Sequence, residues 1–461
     1  MYQLSRQALY DMGDKGKDSL LRSLAVGPHG PLAREQTVWV TKDRLQRSVL
    51  RLSEAGVSQR DVAMCVADML DTRISLGWVN RELRKLEDEA QQVNQTFHPT
   101  GGETLSGDEI FSNGAPNLLV VGNESLYIYA LTREEERDGD TWGCVLLDAP
   151  ETEQFASDAG TGLAAGVKAD EVSSHQLDWD HLLRPLWGQA TRLETQAYTA
   201  LVKVEERAAL FAQAQTSKRL ENHLAQWEKL VALADQKIEA VDTYYRLARR
   251  VDDCFALIDL TTGELTNAEQ ASAALQRLGQ HMAAISGRIY QKLGQNLQNW
   301  ARGLFAYQRQ LQQALTPLII PYGPSAIAAL CRIWQCEADA RRRRLSWPEK
   351  QERQQIWQQA LDEAFACLGD DRWPVWDALS AVLSKPWRGS MLAECVNSLL
   401  RPILDRRKHT DQGCLELFRF LYNVRPFRRG KRAGHSPAQL AGIDLPNDPL
   451  SLLGLTPKVS S

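Results

Sequence analysis

Three carboxylates in distant parts of the chain have side chains that could bind divalent metal ions together. Asp108 lies in the motif DEIF, Asp158 in SDAGTG and Glu394 in LAECVNSLLRP. Mg²⁺ prefers oxygen ligands on rigid elements and fills its remaining positions with water and substrate phosphate oxygens. Two such ions about 4 Å apart would stabilise both the attacking and the leaving oxygen of a displacement at phosphorus. These residue types therefore suit metal-dependent phosphoryl transfer.

Spacing alone does not select these three acids, because the chain contains 58 Asp and Glu residues and a single acid is usually a surface carboxylate. The surroundings of Glu394 add local evidence. Its helical face would also carry Asn397, Ser398 and Arg401. A guanidinium two turns from a metal-binding carboxylate could hold a phosphate. Pro402 should kink this helix or disfavour α geometry at Arg401.

Other site chemistries have little support. The sequence contains no GxSxG, Walker A or HExxH motif. The eight cysteines form no CxxC pair, and we expect buried thiols in a reducing compartment. His98, His175 and His181 lie in the same region as Asp108 and Asp158. We expect each to be structural or solvated, with a place beside the site as the alternative.

The elements around Asp108 and Asp158 predict an α/β domain. Short β-branched or aromatic runs predict three strands, NLLVV (117–121), SLYIYAL (125–131) and GCVLL (143–147). The polar residues 132–141 would form a solvated hairpin tip between the last two. FASDAGTGL (155–163) predicts a strand that ends at Asp158, a glycine turn and a short helix. An antiparallel start would thus be followed by a β-turn-α step.

The N-terminal part of the chain predicts three short helices. Residues 42–55 and 59–69 show helical apolar spacing, and Ser58 and Ser75 are good N-caps for the second and third helices. This arrangement favours a helix-turn-helix whose third helix would offer Arg81, Arg84 and Lys85 to DNA. A small helical bundle without a DNA role is the alternative.

The middle and the end of the chain also predict helices. Residues 189–262 contain neither Gly nor Pro over 74 positions, which indicates two or three antiparallel helices with a break near Thr216 and Ser217. The four-arginine run 341–344 is either a solvated helix face or a phosphate-contacting strip. Further helices are predicted in four segments, 267–315, 325–368, 386–408 and 415–427.

Charge is strongly segregated along the chain, although the formal net charge is only −4. Residues 103–180, the acidic block, carry 17 acids and 3 bases, whereas residues 401–432, the basic block, carry 10 bases and 3 acids. Such blocks are evidence about partners rather than about fold. The overall composition, 43% hydrophobic and 24% charged, is that of a globular protein and excludes wholesale disorder.

Four ordered segments resemble a family of bacterial insertion-sequence transposases, which have a DDE-type catalytic domain with an RNase H-like fold. The segments are DEIFSNGAPNLLVVGNESLYIYALTREEERDGDTWG, SDAGTGLAAG, WRGSMLAECVNSLLRP and FLYNVRPFRRGKRAGHSPAQLAGI. The resemblance covers roughly residues 42–185 and 380–445, and the helical middle matches only in type. Each segment alone is weak, but the four in this order are specific.

The resemblance implies a role for each acid. Asp108 is similar to the first catalytic acid, on the first strand, Asp158 to the second, and Glu394 to the third, on a late helix. Together they would hold two Mg²⁺ ions, with Mn²⁺ as a substitute. DNA-binding side chains would come from the third N-terminal helix and from the region around and after Glu394, namely Arg81, Arg84, Lys85, Arg388, Arg401, Arg406, Arg407, Lys408, Arg428, Arg429, Lys431 and Arg432.

The implied fold class is an α/β RNase H-like core interrupted by a large all-α insertion, with an N-terminal helix-turn-helix domain and a predominantly helical chain overall. The insertion would lie between the fifth strand and the helix of Glu394. The expected divisions are an N-terminal arm (1–40), the helix-turn-helix (41–95), the first part of the core (100–188), the insertion (189–378), the last core helices (379–435) and a tail (436–461).

The implied function is DNA transposition. The protein would bind terminal inverted repeats as a homodimer on paired DNA ends, cut the strand and join it to target DNA. A domesticated, non-catalytic DNA-binding protein derived from a transposase is the alternative, and a helical scaffold that never meets DNA is a third interpretation. The N-terminus has no apolar signal-peptide segment, and the longest uncharged run is broken by prolines. We therefore expect a cytoplasmic, nucleoid-associated protein without a membrane partner.

Overall fold

The computed structural model describes residues 40–147, 149–169, 174–212, 217–341, 345–385, 388–406 and 410–456. It is 68% helix with one small mixed sheet, which confirms the expectation of a predominantly helical chain. The expected N-terminal arm, residues 1–40, lies outside the described residues except for its last position. Within the described ranges, no helix combines the length and the apolar character that crossing a membrane requires.

Three helices open the described chain, as the sequence predicts. Ser58 and Ser75 cap the second and third helices, because their hydroxyls accept hydrogen bonds from the amides of Asp61 (3.2 Å) and Trp78 (3.1 Å). Their common core consists of buried Val49, Val62, Val66, Val79 and Leu83. The three helices are α1 (Lys42–Glu54), α2 (Gln59–Leu70) and α3 (Leu76–Thr96).

Five strands form one sheet in the order β3-β2-β1-β4-β5. They are β1 (Leu105–Ser112), β2 (Ala115–Gly122), β3 (Ile128–Arg133), β4 (Gln154–Ser157) and β5 (Ser174–Leu177). Strands β1, β2 and β3 pair antiparallel in succession, whereas β4 is parallel to β1 and β5 is parallel to β4. The carboxyl ends of β1, β4 and β5 therefore point to the same edge of the sheet.

The segment GCVLL (143–147), which the sequence predicts as a strand, belongs instead to helix α4 (Gly139–Leu147). The Asp138 carboxylate accepts a hydrogen bond from the Thr141 amide at 2.8 Å and so satisfies the first turn. A short apolar run does not distinguish a strand from a buried helix by periodicity alone. Residues 132–141 are accordingly the end of β3 and the approach to α4, and the predicted hairpin tip is wrong. The helix buries side chains at helical spacing, Trp142, Val145 and Leu146.

The predicted β-turn-α step after Phe155 is confirmed. Strand β4 ends at Ser157, and helix α5 (Thr161–Ala169) begins after the glycine turn. A Cβ at Gly162 would lie 1.9 Å from the carbonyl oxygen of Arg137, so only glycine fits there. This close packing fixes the turn that follows Asp158.

A block of eight helices follows β5 within the described residues. Its first two helices form an antiparallel hairpin: Tyr244 Oη donates to the Leu186 carbonyl oxygen at 2.8 Å near one end, and Arg207 Nη1 lies 3.1 Å from His223 Nδ1 near the other. The second helix begins at Ser217, where the sequence predicts the break. The helices are α6 (Asp180–Ala212), α7 (Ser217–Asp253), α8 (Ala268–Ala283), α9 (Arg288–Trp300), α10 (Gln308–Tyr322), α11 (Pro324–Ala340), α12 (Trp347–Leu368) and α13 (Arg372–Leu383).

Gln176 of β5 connects this helical block to the sheet. Its amide nitrogen donates to the carbonyl oxygen of Leu304 at 3.0 Å, and its amide oxygen accepts from the backbone nitrogen of Tyr307 at 2.9 Å. The Gln176 side chain is fully buried. The last strand of the sheet is therefore fixed against the core of the helical block.

The chain returns to the sheet through α14 (Met391–Arg406) and α15 (Gln412–Val424), and a short helix α16 (Pro437–Leu440) follows. Two effects of Pro402 were expected, a kink or a loss of α geometry at Arg401, and the second does not occur because helix α14 continues past Pro402. Apolar residues of β2 alternate between two cores: Leu118 and Val120 face α4 and α5, whereas Leu119 and Val121 face α14 and α15. The sheet is thus covered on both faces.

The cysteines only partly match the expectation of buried thiols. All eight are free, and Cys331, Cys336 and Cys414 are buried. Three others are exposed, namely Cys144, Cys367 and Cys395.

Candidate active site

Asp108 and Asp158 lie on neighbouring parallel strands at the same level. Asp108 is in the middle of β1, and Asp158 directly follows β4. Ser106 pairs with Ala156 in the register that joins these strands. Two residues further along each strand, the same register brings Asp108 beside Asp158.

Helix α14 brings Glu394 to the same edge of the sheet. Asn397, one turn after Glu394, donates from Nδ2 to Asp108 Oδ2 at 2.8 Å. Since residues three apart lie on one helix face, Glu394 faces the same edge of the sheet as Asn397. Only 2% of Asn397 is exposed, and its Oδ1 atom has no hydrogen-bond partner among the described residues. A buried polar atom without a protein partner is costly unless water or an ion reaches it.

The electrostatics of Asp108 connect the three acids. Burial raises the pKa of the Asp108 carboxyl above its usual value, and the hydrogen bond from Asn397 opposes this rise. The negative charges of Asp158 and Glu394 raise the pKa further, whereas the nearby His181 lowers it. Carboxylates that destabilise each other's charged forms in this way are common at functional sites, and a bound cation would relieve their repulsion.

Asp178 is a buried carboxylate at the end of β5 that positions the start of α14. Its oxygens accept hydrogen bonds from the Asp180 amide (2.8 Å), the Ser390 amide (3.1 Å) and the Ser390 hydroxyl (2.7 Å). Although burial opposes ionisation, the hydrogen bonds from His181 and Ser390 hold the pKa of Asp178 below its usual value. Because Ser390 directly precedes α14, this contact fixes the turn that carries Glu394.

The first two turns of α6 present a histidine and an arginine to Glu394. His181 Nε2 lies 3.6 Å from Glu394 Oε1, and Arg184 Nη2 donates to Glu394 Oε2 at 3.1 Å. His181 Nδ1 lies 3.2 Å from Asp178 Oδ2, and this hydrogen bond raises the pKa of His181 above its usual value. Glu394 therefore lies between the acids of the sheet and two basic side chains of α6.

Among the described residues, Asp178, His181 and Glu394 offer three ligand atoms within 4.8 Å of one another, a group that could hold a metal ion. Most acceptor sites of Asp178 are already used, because three donor groups surround Oδ2 and the Asp180 amide donates to Oδ1. Asp108 accepts one hydrogen bond, from Asn397, and Asp158 accepts one, from the Gly160 amide at 3.0 Å. Asp108 and Asp158 therefore have more lone pairs left for a cation than Asp178.

The sequence did not point to Asp178 or Arg184, and it pointed to His181 only as an alternative. The available signal is their regular spacing, since Asp178, His181 and Arg184 follow one another at intervals of three around a helix start. His175 has a structural environment: its Nε2 atom lies 2.8 Å from Ser157 Oγ, and burial lowers its pKa to about 4. The neutral ring thus supports the strand that precedes Asp158.

The candidate DNA-binding residues of α3 are exposed, but one of them already forms ion pairs with other side chains. Arg84 forms ion pairs with Glu87 and with Asp411 at the start of α15. Arg81 and Lys85 are exposed on the same helix. Helix α3 also packs along α15, where Asn94 Nδ2 donates to the carboxylate of Glu416 at 2.7 Å and to its carbonyl oxygen at 3.0 Å. The rest of the chain therefore covers one face of this helix.

Arg388 is engaged inside the protein. Its guanidinium carbon lies 3.8 Å from the centre of the Trp179 ring, and Nη1 donates to the Phe255 carbonyl oxygen at 2.7 Å. Arg401 is exposed on α14. Arg407 and Lys408 lie outside the described residues, as does the side chain of the neighbouring Arg406.

The end of the basic block lies directly against the acidic block. Arg432 donates to the carbonyl oxygens of Glu124 (2.7 Å) and Asn123 (3.0 Å). Lys385 Nζ also forms an ion pair with Glu124 at 2.5 Å. Three neighbouring cations remain exposed, namely Arg428, Arg429 and Lys431. The two oppositely charged regions are therefore adjacent in the fold.

Comparison with protein-family models and with curated proteins finds no match for this chain. Its function must therefore be inferred from the arrangement of its residues.

Proposed function

We propose that this chain is a DNA transposase that cleaves and joins DNA strands by metal-dependent phosphoryl transfer. The observation that supports this proposal most is the convergence of Asp108, Asp158 and Glu394, which are separated by up to 286 positions in the sequence, at one edge of the sheet. Acids that repel one another are brought together here at a cost in stability. A divalent cation would offset that cost.

The topology is consistent with an RNase H-like core. An antiparallel β1-β2-β3 unit is followed by β4 and β5 on the other side of β1, and helices cover both faces. The helical block lies between β5 and α14, where the resemblance expects an insertion. Helices α1 to α3 would form the helix-turn-helix domain.

The residues at the site fit two Mg²⁺ ions, or Mn²⁺ in their place, because all three acids offer carboxylate oxygens. When bound, these ions would stabilise the negative charge on the attacking and leaving oxygens. Asn397 orients Asp108 through its hydrogen bond, and the pairing of β1 with β4 fixes Asp158. Asp178 holds the start of α14 and thereby fixes Glu394.

The proposed reaction has two displacements at phosphorus. Water first attacks the phosphodiester at the end of the mobile element, and the broken P–O bond leaves a 3′-OH. That hydroxyl then attacks a phosphodiester of the target DNA, loses its proton and displaces a second 3′ oxygen. Helix α3 and the exposed cations of the basic block would bind inverted repeats and target DNA, with an affinity that falls as salt rises. Paired ends would need a homodimer.

Cleavage of DNA by an Asp158→Ala variant tests the proposal. The substrate is a linear duplex that contains the regions flanking the coding gene on both sides. We expect Mg²⁺-dependent cleavage by the wild-type protein and a loss of at least about 10³-fold in the variant, about 4 kcal/mol of transition-state stabilisation. Binding of the duplex, measured by gel shift, should remain because Asp158 holds metal rather than DNA.

Glu135→Ala is the matched control, since Glu135 is an exposed acid of the same acidic block. It should cleave at the wild-type rate. Cleavage that survives in Asp158→Ala would overturn the metal assignment. Salt-dependent binding without cleavage by the wild-type protein would instead favour a domesticated, non-catalytic DNA-binding protein.

A further inference from the structure

Only part of the Arg184 guanidinium forms hydrogen bonds with other side chains. Nη2 donates to Asp180 Oδ2 at 2.5 Å and to Glu394 Oε2 at 3.1 Å. Within the described part of the chain, its Nε and Nη1 atoms have no hydrogen-bond partner, and 45% of the side chain is exposed. A guanidinium has five N–H donors in a planar fork. Arg184 is therefore partly exposed and keeps unpaired donors beside Glu394, one of the three candidate metal ligands.

If Glu394 binds a cation, the cation would replace Arg184 as the partner of the Glu394 carboxylate. The carboxylate oxygens that Arg184 contacts are the same atoms that a cation would need. Asp180, four residues earlier on α6, would still hold one edge of the guanidinium. The remaining donors would then be available to an anion at the site, and a planar fork binds two phosphate oxygens at once.

The other basic residues near Glu394 are less suitable for this role. Arg388 is stacked on Trp179 and donates to a backbone carbonyl, so its guanidinium is fixed within the protein. Arg401 lies two helical turns beyond Glu394 on an exposed part of α14. Arg184, by contrast, already contacts Glu394.

We propose that Arg184 binds a non-bridging oxygen of the DNA phosphodiester that reacts at the site of Asp108, Asp158 and Glu394. This inference rests on the proposed function and names the group that would hold its substrate. Arg184 would be a catalytic residue in the sense that it touches the reacting phosphate. The purely structural alternative is that Arg184 only neutralises Glu394 and never contacts DNA.

A neutral phosphate analogue distinguishes the two roles. The cleaved position is first mapped with the wild-type protein and Mg²⁺. Two duplexes are then compared by fluorescence anisotropy in Ca²⁺: an unmodified one and one with a single methylphosphonate at the mapped position. Arg184→Ala should weaken binding of the unmodified duplex about tenfold or more and should cause no further loss on the methylphosphonate duplex.

Two further variants separate the charge of Arg184 from its planar geometry and from its place on α6. Arg184→Lys keeps the charge but loses the fork, so its loss of affinity should be intermediate. Arg192→Ala removes an exposed arginine from the same helix and should affect both duplexes equally and weakly. The unfolding temperature of each variant should stay close to that of the wild-type protein.

The possible outcomes distinguish the role of Arg184 from the proposed function. Wild-type cleavage together with an Arg184→Ala loss that is equal on both duplexes, or absent, overturns the role of Arg184 alone. Absence of cleavage by the wild-type protein overturns the proposed function and this inference with it. A loss confined to the unmodified duplex supports contact with the reacting phosphate.

Discussion

The sheet edge and the helical block bury different kinds of side chain. At the sheet edge, the carboxylates of Asp108, Asp158, Asp178 and Glu394 lie on β1, at the ends of β4 and β5, and on α14, and the buried Asn397 and Ser390 donate to two of them. The helical block has a large apolar core that contains residues such as Leu275 and Leu311, and its buried carboxylate Asp339 is paired with Gln335 and Arg353. A buried titratable group there, Cys331, has its pKa raised to about 12 by burial alone.

This difference suggests that the sheet edge binds metal and that the helical block stabilises the fold. Repelling carboxylates destabilise a fold unless a cation or hydrogen bonds compensate, whereas an apolar core is stable without any ion. The two regions meet at Gln176 and at Arg388, which connect the sheet edge to the helical block through hydrogen bonds. The helical block should therefore govern stability, and the sheet edge should govern metal dependence.

Removing apolar volume from the helical block should give the largest change in stability. Leu275 is completely buried, so Leu275→Ala should lower the free energy of unfolding by about 2–5 kcal/mol. The Mg²⁺ concentration that gives half-maximal cleavage should not change below the unfolding transition. Urea unfolding and a Mg²⁺ titration of the cleavage rate measure the two quantities. A changed Mg²⁺ requirement would contradict the separation of roles.

Removing the hydrogen bond to Asp108 should affect metal dependence instead. Asn397→Ala should reduce cleavage about 10- to 100-fold and raise the Mg²⁺ requirement, as expected for a residue that orients a metal ligand. The Asn397 donor lowers the pKa of Asp108, so its loss should raise that pKa. The acid limb of the pH–rate profile should then move to higher pH.

Ser398→Ala is the control for this variant, because Ser398 is exposed on the same helix and donates to the Cys395 carbonyl oxygen of its own helix. Its rate, Mg²⁺ requirement and pH profile should match those of the wild-type protein. If Asn397→Ala also kept the wild-type pH profile, the hydrogen bond to Asp108 would have no role in ionisation.

The smallest expected effect concerns Asp178 and depends on pH. Its pKa in the fold is below the usual value, so its charge stabilises the fold above the pKa of the unfolded chain. That contribution is lost as pH falls through the pKa of the folded protein. Asp178→Asn should cost about 1–2 kcal/mol near pH 7 and progressively less below about pH 4. Urea unfolding at both pH values measures the difference, and a constant difference would exclude the charge as its cause.

The sequence predicted the local features well. The capped N-terminal helices and the turn after Asp158 follow from short-range rules of capping and glycine geometry, whereas the break before Ser217 was expected from the length of the segment without Gly or Pro. The strand predicted at residues 143–147 is wrong because a short apolar run fits a buried helix equally well. Asp178 was missed because its role comes from a contact with Ser390, which lies 212 residues away.

Contacts between charged residues that are distant in the sequence were not predictable either. The acidic and basic blocks were evident in the sequence, but their contact through Arg432 and the backbone of Glu124 required the fold. Arg388 was expected to bind DNA from its position before Glu394, and its stacking on Trp179 has no sequence signal.

Anomalous diffraction from crystals containing Mn²⁺ would show whether Asp108, Asp158 and Glu394 bind a divalent ion together. The arrangement at the sheet edge predicts an anomalous peak that is bound by carboxylate oxygens of Asp108 and Asp158, with Glu394 as a further ligand. Loss of this peak in crystals of the Asp158→Ala variant would confirm Asp158 as a metal ligand. A peak at Asp178 and His181, with none at Asp108 and Asp158, would contradict the assignment and the phosphoryl-transfer function built on it.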